Sequence, residues 1–590
     1  VITAKDIERD QRRTAPDALS TVPGLNVVQS GGPGGLTSVF TRGTNANHTK
    51  VLIDGIDVSD PGNPARVFDL GQLLTYDIQQ IEVLRGPQSG LYGADALGGV
   101  ISIITKKGEG PPRATGMIEG GSFGTFNQTA GLSGSEERFN YAFNVAHFRA
   151  TDVPVTPLEL LPPGQKAIGN NYDNMTYSTK LGVDLTENLT LNAVARYTDA
   201  TVRFTGDSFD PVTFSSSPAA AQSTQTVHQL FTRGEAVWSM LDGRIKNYFG
   251  VNYTNHWNYN ISPGDVAATI TTGDRVKYDW HAVTQLAPYH TVIAGAEHET
   301  ETLQTSTVSA QNVNKAGYVE LQSQFANRLF LVFNIRQDDN DRFGEHPTFR
   351  LAPALIIPGT ETKLKGSYGT GFKAPTLNQL FVSFPAFFFF ANPNLKPEES
   401  VGYDAGFEQP LFNDRIRFGS TYFHNDITNL IQPIFDGATF TSTNTNIGRG
   451  RTEGTENFVA ARLTDSVRVR ADYTFTRAVD VTTGLELLRR PREKWSTSVI
   501  WNPVEQLTLS ATVLHTGSFI DVSRDFSIPR LLAPAYTVVN VAADYAISDQ
   551  TKVFGRVDNL FNVHYQNPTG FLQPSLGIYG GIRVASYGVQ

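Results

Sequence analysis

The chain has 590 residues, no cysteine, and 48 basic against 57 acidic residues, for a formal net charge of -9. The lack of cysteine excludes disulfides, thiolate metal sites and a cysteine nucleophile, and the lack of a basic block argues against nucleic acid as a partner. The sequence contains no run of roughly 20 apolar residues, the length that a membrane-spanning helix needs. A transmembrane β-barrel escapes that test because its strands alternate apolar and polar residues, and an aromatic content of 11% suits its aromatic girdles.

The first hundred residues carry four motifs punctuated by glycine: FTRGTN at 40–45, VLIDG at 51–55, IEVLRGPQS at 81–89 and LYGADALGGVI at 91–101. Glycine permits tight turns and a close approach of two backbones. These segments therefore predict a compact, irregular N-terminal domain. The character of the sequence changes after KKGEGPP at 106–112, so we place the boundary near residue 111.

Beyond that boundary, apolar and polar residues alternate with a period of two, as in LTLNAVARY at 189–197 and VRVRADYTFT at 467–476. This pattern predicts antiparallel strands with one apolar face. A soluble sheet with one wet face is an alternative. A membrane barrel is favoured because the pattern continues over hundreds of residues and places arginine and aspartate in mid-strand, as the water-filled side of a barrel can.

The connections between these segments differ in length. Residues 186–188 and 548–550 read as short polar turns, whereas 152–171 and 207–225 are long. Outer-membrane barrels have short periplasmic turns and long extracellular loops. Ligand contacts are therefore expected in the long loops.

In order and spacing, the N-terminal motifs resemble the plug domain of TonB-dependent outer-membrane transporters. GTGFKAPTL at 369–377 followed by NPNLKPE at 392–398 resembles a barrel signature of cobalamin and haem transporters in that family, and VDNLFN at 557–562 followed by Tyr565 resembles its penultimate strand. Among the subfamilies, the motifs are most similar to those of cobalamin transporters.

The resemblance implies an all-β membrane barrel of about 22 antiparallel strands at residues 112–590, with an α+β plug domain at residues 1–111 inside the lumen. A barrel of that size needs a plug. It further implies a monomer among the lipids of the outer membrane of a Gram-negative bacterium. Energy would come from a TonB-type inner-membrane complex, through a short segment that would precede Val1.

Charges near apolar runs of the plug should find partners, because an unpaired buried charge is costly. Those charges are Arg42, Glu82 and Arg85. In the family, two plug arginines pair with barrel glutamates. Glu456 is the best positional match for one of these acids, and Asp404 is the candidate for the other. Ordinary surface ion pairs are the alternative interpretation.

The ligand site is expected where plug loops and an aromatic loop meet the extracellular cavity. By resemblance, the plug loops face that cavity with Ser30, Pro33, Leu36, Val58, Ser59, Asp60 and Asn63. The aromatic loop supplies Phe384, Phe387 and Phe388, whose rings should pack on another loop, on the plug or on a ligand. Polar groups mixed with glycine favour a large amide-rich solute such as cobalamin, and would also suit a ferric siderophore.

Haem is less favoured, because haem receptors of the family commonly place an axial histidine between the two barrel motifs. No histidine lies between Pro375 and Asn392, and the segment around His48 matches a structural feature of cobalamin transporters. Cobalamin transporters also bind calcium through aspartates of early barrel loops, for which Asp199, Asp207 and Asp210 are weak candidates. No other cofactor is expected.

Two rival classes are an enzyme and a passive porin. Gly366 and Gly371 have the glycine spacing of a phosphate-binding loop, but Phe372 stands where lysine is required. No nucleophile elbow or zinc-binding helix motif is present. A porin would need no plug. The sequence therefore predicts a transporter that is not an enzyme.

Overall fold

A computed structural model describes residues 1–210, 215–385, 388–436, 439, 441–446 and 448–586. Its main feature is a closed barrel of 22 antiparallel strands. In chain order these strands are Arg113–Gly121, Thr125–Glu136, Phe139–Val153, Asn170–Thr186, Leu189–Phe204, Ser223–Met240, Ile245–Ile261, Thr269–Ala287, His290–Gln304, Ser309–Phe325, Leu329–Asn340, Gly344–Ile356, Lys363–Lys373, Glu398–Leu411, Ile416–Thr428, Arg449–Arg462, Val467–Asp480, Glu493–Val504, Leu507–Thr516, Tyr536–Ser548, Thr551–Asp558 and Gly577–Ala585.

The barrel closes by pairing its last strand with its first, in a register that runs from Tyr579 opposite Gly121 to Ala585 opposite Thr115. Closure removes the unpaired strand edges that an open sheet exposes. The all-β membrane barrel predicted from the alternating pattern and the resemblance is confirmed.

The two faces of each strand meet different surroundings. In strand Leu189–Phe204, Arg196 is 2% exposed and donates to Asp77 of the plug, whereas its neighbour Tyr197 is 37% exposed and points outward. Successive side chains of a strand point to opposite sides. The period-two pattern therefore separates a polar lumen from an apolar outer surface.

Long connections gather at one end of the barrel and short turns at the other. The long connections are 154–169, 205–222, 374–397, 429–448, 481–492, 517–535 and 559–576. They contain helix Leu377–Phe381, the pair Asp207–Asp210 and Ser215–Pro218, the three-stranded sheet Phe389–Phe390, Thr441–Asn446 and Ile431–Asp436, and the pair Phe519–Asp521 and Leu531–Ala533. Because short turns are periplasmic in such barrels, the long connections are extracellular.

The plug fills the lumen with a mixed five-stranded sheet in the order Ile2–Thr3, Ile78–Arg85, Gly99–Thr105, Thr49–Ile53 and Ile56–Asp57. A separate hairpin joins Leu25–Gln29 to Thr37–Thr41. The plug helices are Ala4–Arg9, Ala15–Leu19 and Ser89–Tyr92, with 3-10 turns at Ala46–His48 and Leu70–Gln72. The last plug strand ends at Thr105, and the first barrel strand begins at Arg113.

The plug has its own apolar core, built from the inner faces of the sheet and the first two helices. Ile7, Leu19, Ile53 and Ile101 are each at most 5% exposed, and Phe231 of the barrel wall packs against them. This core makes the plug a folded domain that is seated on the wall. Among the described residues, no helix is long and apolar enough to span a membrane.

Candidate ligand site and plug contacts

The first apical loop of the plug, residues 29–36, touches the upper part of the barrel wall. Gly34 has a φ of +75°, and a Cβ at this position would lie 2.2 Å from the ring of Tyr172, so both conformation and space require glycine. Ser30 and Pro33 are half-buried, whereas Leu36 is 57% exposed. Of the three ligand contacts predicted in this loop, Leu36 therefore has the most exposed side chain.

The second apical loop, residues 57–66, departs from the prediction at its start. Val58 is fully buried and packs in the core of the plug, so its predicted role as a ligand contact is wrong. The Ser59 hydroxyl donates to the Asp57 carboxylate (2.7 Å), and the Ser59 carbonyl accepts from Arg275 of the wall (2.8 Å). Ser59 therefore shapes the loop and anchors it from below.

The tip of the second loop is held to both the wall and an extracellular loop. The Asp60 carboxylate accepts from the side chain of Asn258 (3.0 Å), and it is only 8% exposed. Asn63 is half-buried and accepts from a backbone amide of its own loop. The Pro64 carbonyl accepts from the Thr376 hydroxyl (2.8 Å), so this plug loop is joined to the aromatic loop.

The aromatic loop keeps part of its ring surface open. Phe384 and Phe388 are 39% and 49% exposed. The Phe384 ring lies 6.5 Å from that of Phe389, so packing within the loop accounts for part of the cluster. Phe387 lies outside the described residues. The exposed rings leave an apolar surface at the extracellular end of the barrel.

Arg42 is the centre of a buried ion cluster between plug and wall. Its guanidinium donates to both carboxylate oxygens of Glu456 (2.9 and 3.0 Å) and to Asp404 (3.0 Å), and it lies over the Phe423 ring. Burial by itself lowers the pKa of Arg42, but the carboxylates of Glu456 and Asp404 outweigh it and hold the pKa above its ordinary value. The three side chains form a charge-assisted contact that water scarcely reaches.

Arg85 joins the same cluster from the next plug segment. It donates to Glu456 (2.9 Å) and to the Pro23 carbonyl (3.1 Å), and its side chain is 26% exposed. Glu82 differs, because its carboxylate accepts from Gln80 of its own plug strand (2.7 Å). The structure thus links both plug arginines to the barrel and places the partner of Glu82 on the plug.

A second buried ion cluster joins two of the sequence motifs that were noted separately. Asp95, in the LYGADALGGVI motif, accepts from Lys373 of the GTGFKAPTL motif (2.8 Å) and from Arg66 (2.7 Å). Arg66 also donates to Glu301 of the wall (2.8 Å). This cluster lies between the second apical loop and the start of the aromatic loop.

His48 is enclosed between plug and wall. Its Nε2 lies 3.2 Å from Glu398 at the end of the NPNLKPE motif, and both side chains are fully buried. The second oxygen of Glu398 accepts from the backbone amide of Ile431 in an extracellular loop. A haem ligand at His48 would need an open approach, which this packing does not provide.

The two described aspartates considered for calcium, Asp199 and Asp207, each lie beside a basic side chain. Asp199 shares the outward face of its strand with Tyr197 and lies 3.4 Å from His228. Asp207 is bound by Arg524 from another extracellular loop (2.8 Å), and the side chain of Asp210 lies outside the described part. Within the described residues, no group of three or more His, Cys, Asp or Glu could hold a metal ion.

Comparison with known protein families gives a match for the barrel and a match for the plug. Residues 114–560 match the family described as "TonB dependent receptor-like, beta-barrel", and residues 1–100 match "TonB-dependent Receptor Plug Domain". The chain belongs to the TonB-dependent receptor family. It is therefore a TonB-dependent transporter of the outer membrane of a Gram-negative bacterium, powered through TonB.

The relatives of this TonB-dependent receptor fall into two groups. The vitamin B12 transporter BtuB of Vibrio vulnificus (strain YJ016) is 27% identical over 96% of this chain and 88% of its own length. A mutant ferric enterobactin receptor PfeA of Pseudomonas aeruginosa, in complex with enterobactin, has a TM-score of 0.83 at 18% identity and 99% coverage of both chains. The siderophore receptor PirA of Acinetobacter baumannii has a TM-score of 0.82 at 18% identity, covering 99% and 98%. At these identities the solved structures show the shared fold.

Sequence reasoning missed several barrel cations that hold the plug of this receptor. Arg490 lies over the Phe40 ring and donates to Asn45 (2.6 Å), and Lys494 donates to the Leu25 carbonyl (2.6 Å). Burial and then the neighbouring Arg489 lower the pKa of Arg490 to about 9, so it stays protonated at neutral pH. The sequence could have indicated these contacts, because each cation occupies a strand or loop position whose side chain faces the backbone carbonyls of the plug.

Proposed function

We propose that this TonB-dependent receptor takes up cobalamin, with ferric siderophores as the second candidate class. The observation that best supports cobalamin is that neither apical plug loop presents an unpaired basic side chain. Residues 29–36 contain no charged side chain, and Arg66 of the second loop is bound to Asp95 and Glu301. Such a surface suits a large ligand bound through amides and apolar contacts, and the similarity to BtuB supports this choice.

The siderophore alternative rests on the extracellular loops 481–492 and 517–535, which carry Arg489, Arg490, Arg492, Arg524 and Arg530. An anionic ferric complex would need such cations unpaired. Three of them are bound to carboxylates, in the pairs Arg489–Asp521, Arg492–Glu486 and Arg524–Asp207. Arg490 is turned into the plug. Most of these arginines are already neutralised by carboxylates, which favours cobalamin over an anionic ferric siderophore.

Calorimetric titration of the purified full chain in detergent separates the candidates. We expect cyanocobalamin to give a saturable binding isotherm, and ferric enterobactin and haemin to give none. The same titration in EDTA and with added calcium tests a metal requirement, and we expect no difference. Binding of ferric enterobactin without cyanocobalamin would transfer the proposal to the siderophore class.

The exposed ring of Phe388 is expected to contribute to ligand binding. Phe388→Ala should weaken the affinity for cyanocobalamin by about 1–2 kcal/mol, since a ring packed on a large ligand contributes on that order. Phe412→Ala is the matched control, because Phe412 is also exposed and has the same positive φ of 53° but lies on a short periplasmic turn. Equal affinities of the two variants would remove the aromatic loop from the site.

For energy coupling, we propose that ligand-induced shifts of the plug reach its periplasmic side through Arg42, Arg85, Asp404 and Glu456. The bridging position of this cluster supports the assignment, since it joins two plug segments to two barrel strands. The receptor is further proposed to act as a monomer without catalytic activity. A barrel closed on itself leaves no strand edge for a second copy.

A further inference from the structure

One side of the plug is far less tightly attached to the barrel than the rest. A cavity of about 750 Å³ lies there between the periplasmic half of the plug and the wall, whereas two other cavities in the lumen hold only about 10 and 30 Å³. Its plug side is formed by helix Ala4–Arg9 and segments 74–79 and 106–111. A volume of several hundred Å³ is typical of small-molecule sites.

Small side chains line this cavity on two barrel strands, whereas the neighbouring strands add Arg113, Met117 and Arg583. Strands Thr125–Glu136 and Phe139–Val153 contribute residues such as Thr129, Gly131 and Ala142. Within the described part of the chain, the only hydrogen bonds from the plug region to these two strands run from Ser135 to the Gly110 carbonyl, in the segment that links plug to barrel. No ion pair joins the plug to either strand in that part.

Firm contacts lie on both flanks of these strands. On one flank, Arg13 of the plug is paired with Glu119 (2.6 Å). On the other, Asn174 donates to the Gln72 carbonyl (3.1 Å) and Lys180 is paired with Asp54 (2.6 Å). The flanking strands are three strand spacings apart, roughly 14 Å along the wall.

Above the cavity, plug and wall meet mainly through a cluster of apolar side chains, which we call the seam. Its buried members are Leu74 of the plug and Ala146, Phe148, Ala150, Val153, Val155, Tyr172, Ala200 and Val202 of the wall. The Tyr172 hydroxyl adds a polar contact by donating to the Gly71 carbonyl of the plug (3.4 Å). The seam climbs to the first apical loop, where Gly31, Gly32 and Gly34 contact Val155, Val153 and Tyr172. A continuous path without ion pairs therefore runs from the ligand-facing loop to the cavity.

We propose that substrate passes the plug along this seam and leaves through the 750 Å³ cavity. The route rests on the proposed function, because it assumes a large solute that crosses the lumen. The apolar contacts of the seam can separate without exposing a buried charge, whereas the opposite side would have to break the Arg42 and Asp95 clusters. The plug then opens on one side and stays anchored on the other.

A measurement without substrate tests the weakness of the seam. We expect the variant Leu74→Ala with Phe148→Ala to conduct small ions in planar bilayers, because it joins the extracellular side to the cavity. The matched control is Leu97→Ala with Ile427→Ala, which thins an apolar contact between plug and wall on the ion-paired side. That control should stay closed. Equal leaks, or a leak in the control alone, would overturn the proposal whatever the substrate is.

A second measurement tests the route during transport. The chain lacks cysteine, so Thr129→Cys in the cavity wall can be modified after folding with a bulky methanethiosulfonate and later released by reductant. Modification should abolish cyanocobalamin uptake while leaving binding intact, and reduction should restore it. Ser498→Cys is the control, because Ser498 lies two residues beyond Ser496, which bonds the plug from the lumen wall.

Modified Ser498→Cys should transport normally. Loss of uptake in both modified variants, or in neither, would contradict the route. Failure of the unmodified protein to bind or take up cyanocobalamin would instead contradict the proposed substrate, and the bilayer measurement would still decide the seam.

Discussion

Glu456→Gln is expected to loosen the plug more than any other single isosteric change in the first ion cluster. The carboxylate accepts from both Arg42 and Arg85, and a neutral amide cannot match two guanidinium groups. Removing one partner of a buried ion pair typically costs about 3–5 kcal/mol, because the remaining charge stays buried. Arg42, which retains only Asp404, bears most of this cost.

Hydrogen exchange measured on the plug provides the readout. The Arg42 backbone amide donates to the Gly24 carbonyl (2.6 Å), so local opening of this region exposes it. A loss of about 3 kcal/mol would speed its exchange roughly 100-fold if exchange follows local opening. The matched control is Asp414→Asn, which breaks the exposed pair with Arg417 on a periplasmic turn and should leave the exchange of the Arg42 amide unchanged, because exposed ion pairs contribute little to stability.

The two arginines should differ in importance. Arg42 has an 8% exposed side chain and two acidic partners, whereas Arg85 is 26% exposed and has one. Arg42→Ala should therefore raise the small-ion leak in planar bilayers more than Arg85→Ala does. A leak unchanged in both variants would show that the cluster does not seat the plug.

Asp95→Asn is the second change with a large expected effect, because it leaves two buried cations with too little negative charge. Lys373 is 1% exposed and Arg66 is 6% exposed, and Glu301 would be the remaining carboxylate bound to Arg66. Burial alone raises the pKa of Asp95, but Arg66 and Lys373 hold it below its ordinary value, so Asp95 is ionised at neutral pH. We expect a loss of about 3 kcal/mol or more from local stability.

The Asp95→Asn substitution is informative because it should introduce no backbone strain. Asp95 has a φ of +75°, and asparagine tolerates that region as well as aspartate does. Faster hydrogen exchange is expected in the second apical loop and at the start of the aromatic loop, which Arg66 and Lys373 support. A double variant, Asp95→Asn with Lys373→Met, should recover part of the loss, since it removes the stranded charge. No recovery would mean that the charge imbalance is not the cause.

Local patterns predicted the strands, and motifs that resemble a known family predicted the plug and one part of the site. The period-two alternation of segments such as 189–197 predicted the strands, because side-chain direction in a strand depends only on neighbouring residues. The resemblance of the motifs around Arg42 and Glu456 to those of the family implied a contact that the structure contains. Both depended on short stretches of sequence.

Contacts between distant segments could not be predicted in the same way. Asp199 was considered as a calcium ligand, but the register of its strand turns it outward beside Tyr197. Val58 was placed in the ligand cavity, but the path of the chain through the plug buries it. The pairing of Asp95 with Lys373 joins two motifs that are 278 positions apart.

The sequence by itself thus determined the alternating strands, because side-chain direction in a strand acts locally, and its motifs identified a plugged membrane transporter by their resemblance to a known family. The tertiary structure alone decided which charges meet, which apical residues remain exposed, and where the plug leaves a seam and a cavity. These features depend on how the plug is rotated within the barrel and on the stagger of 22 strands. Both are properties of the whole closed sheet, and no short segment encodes them.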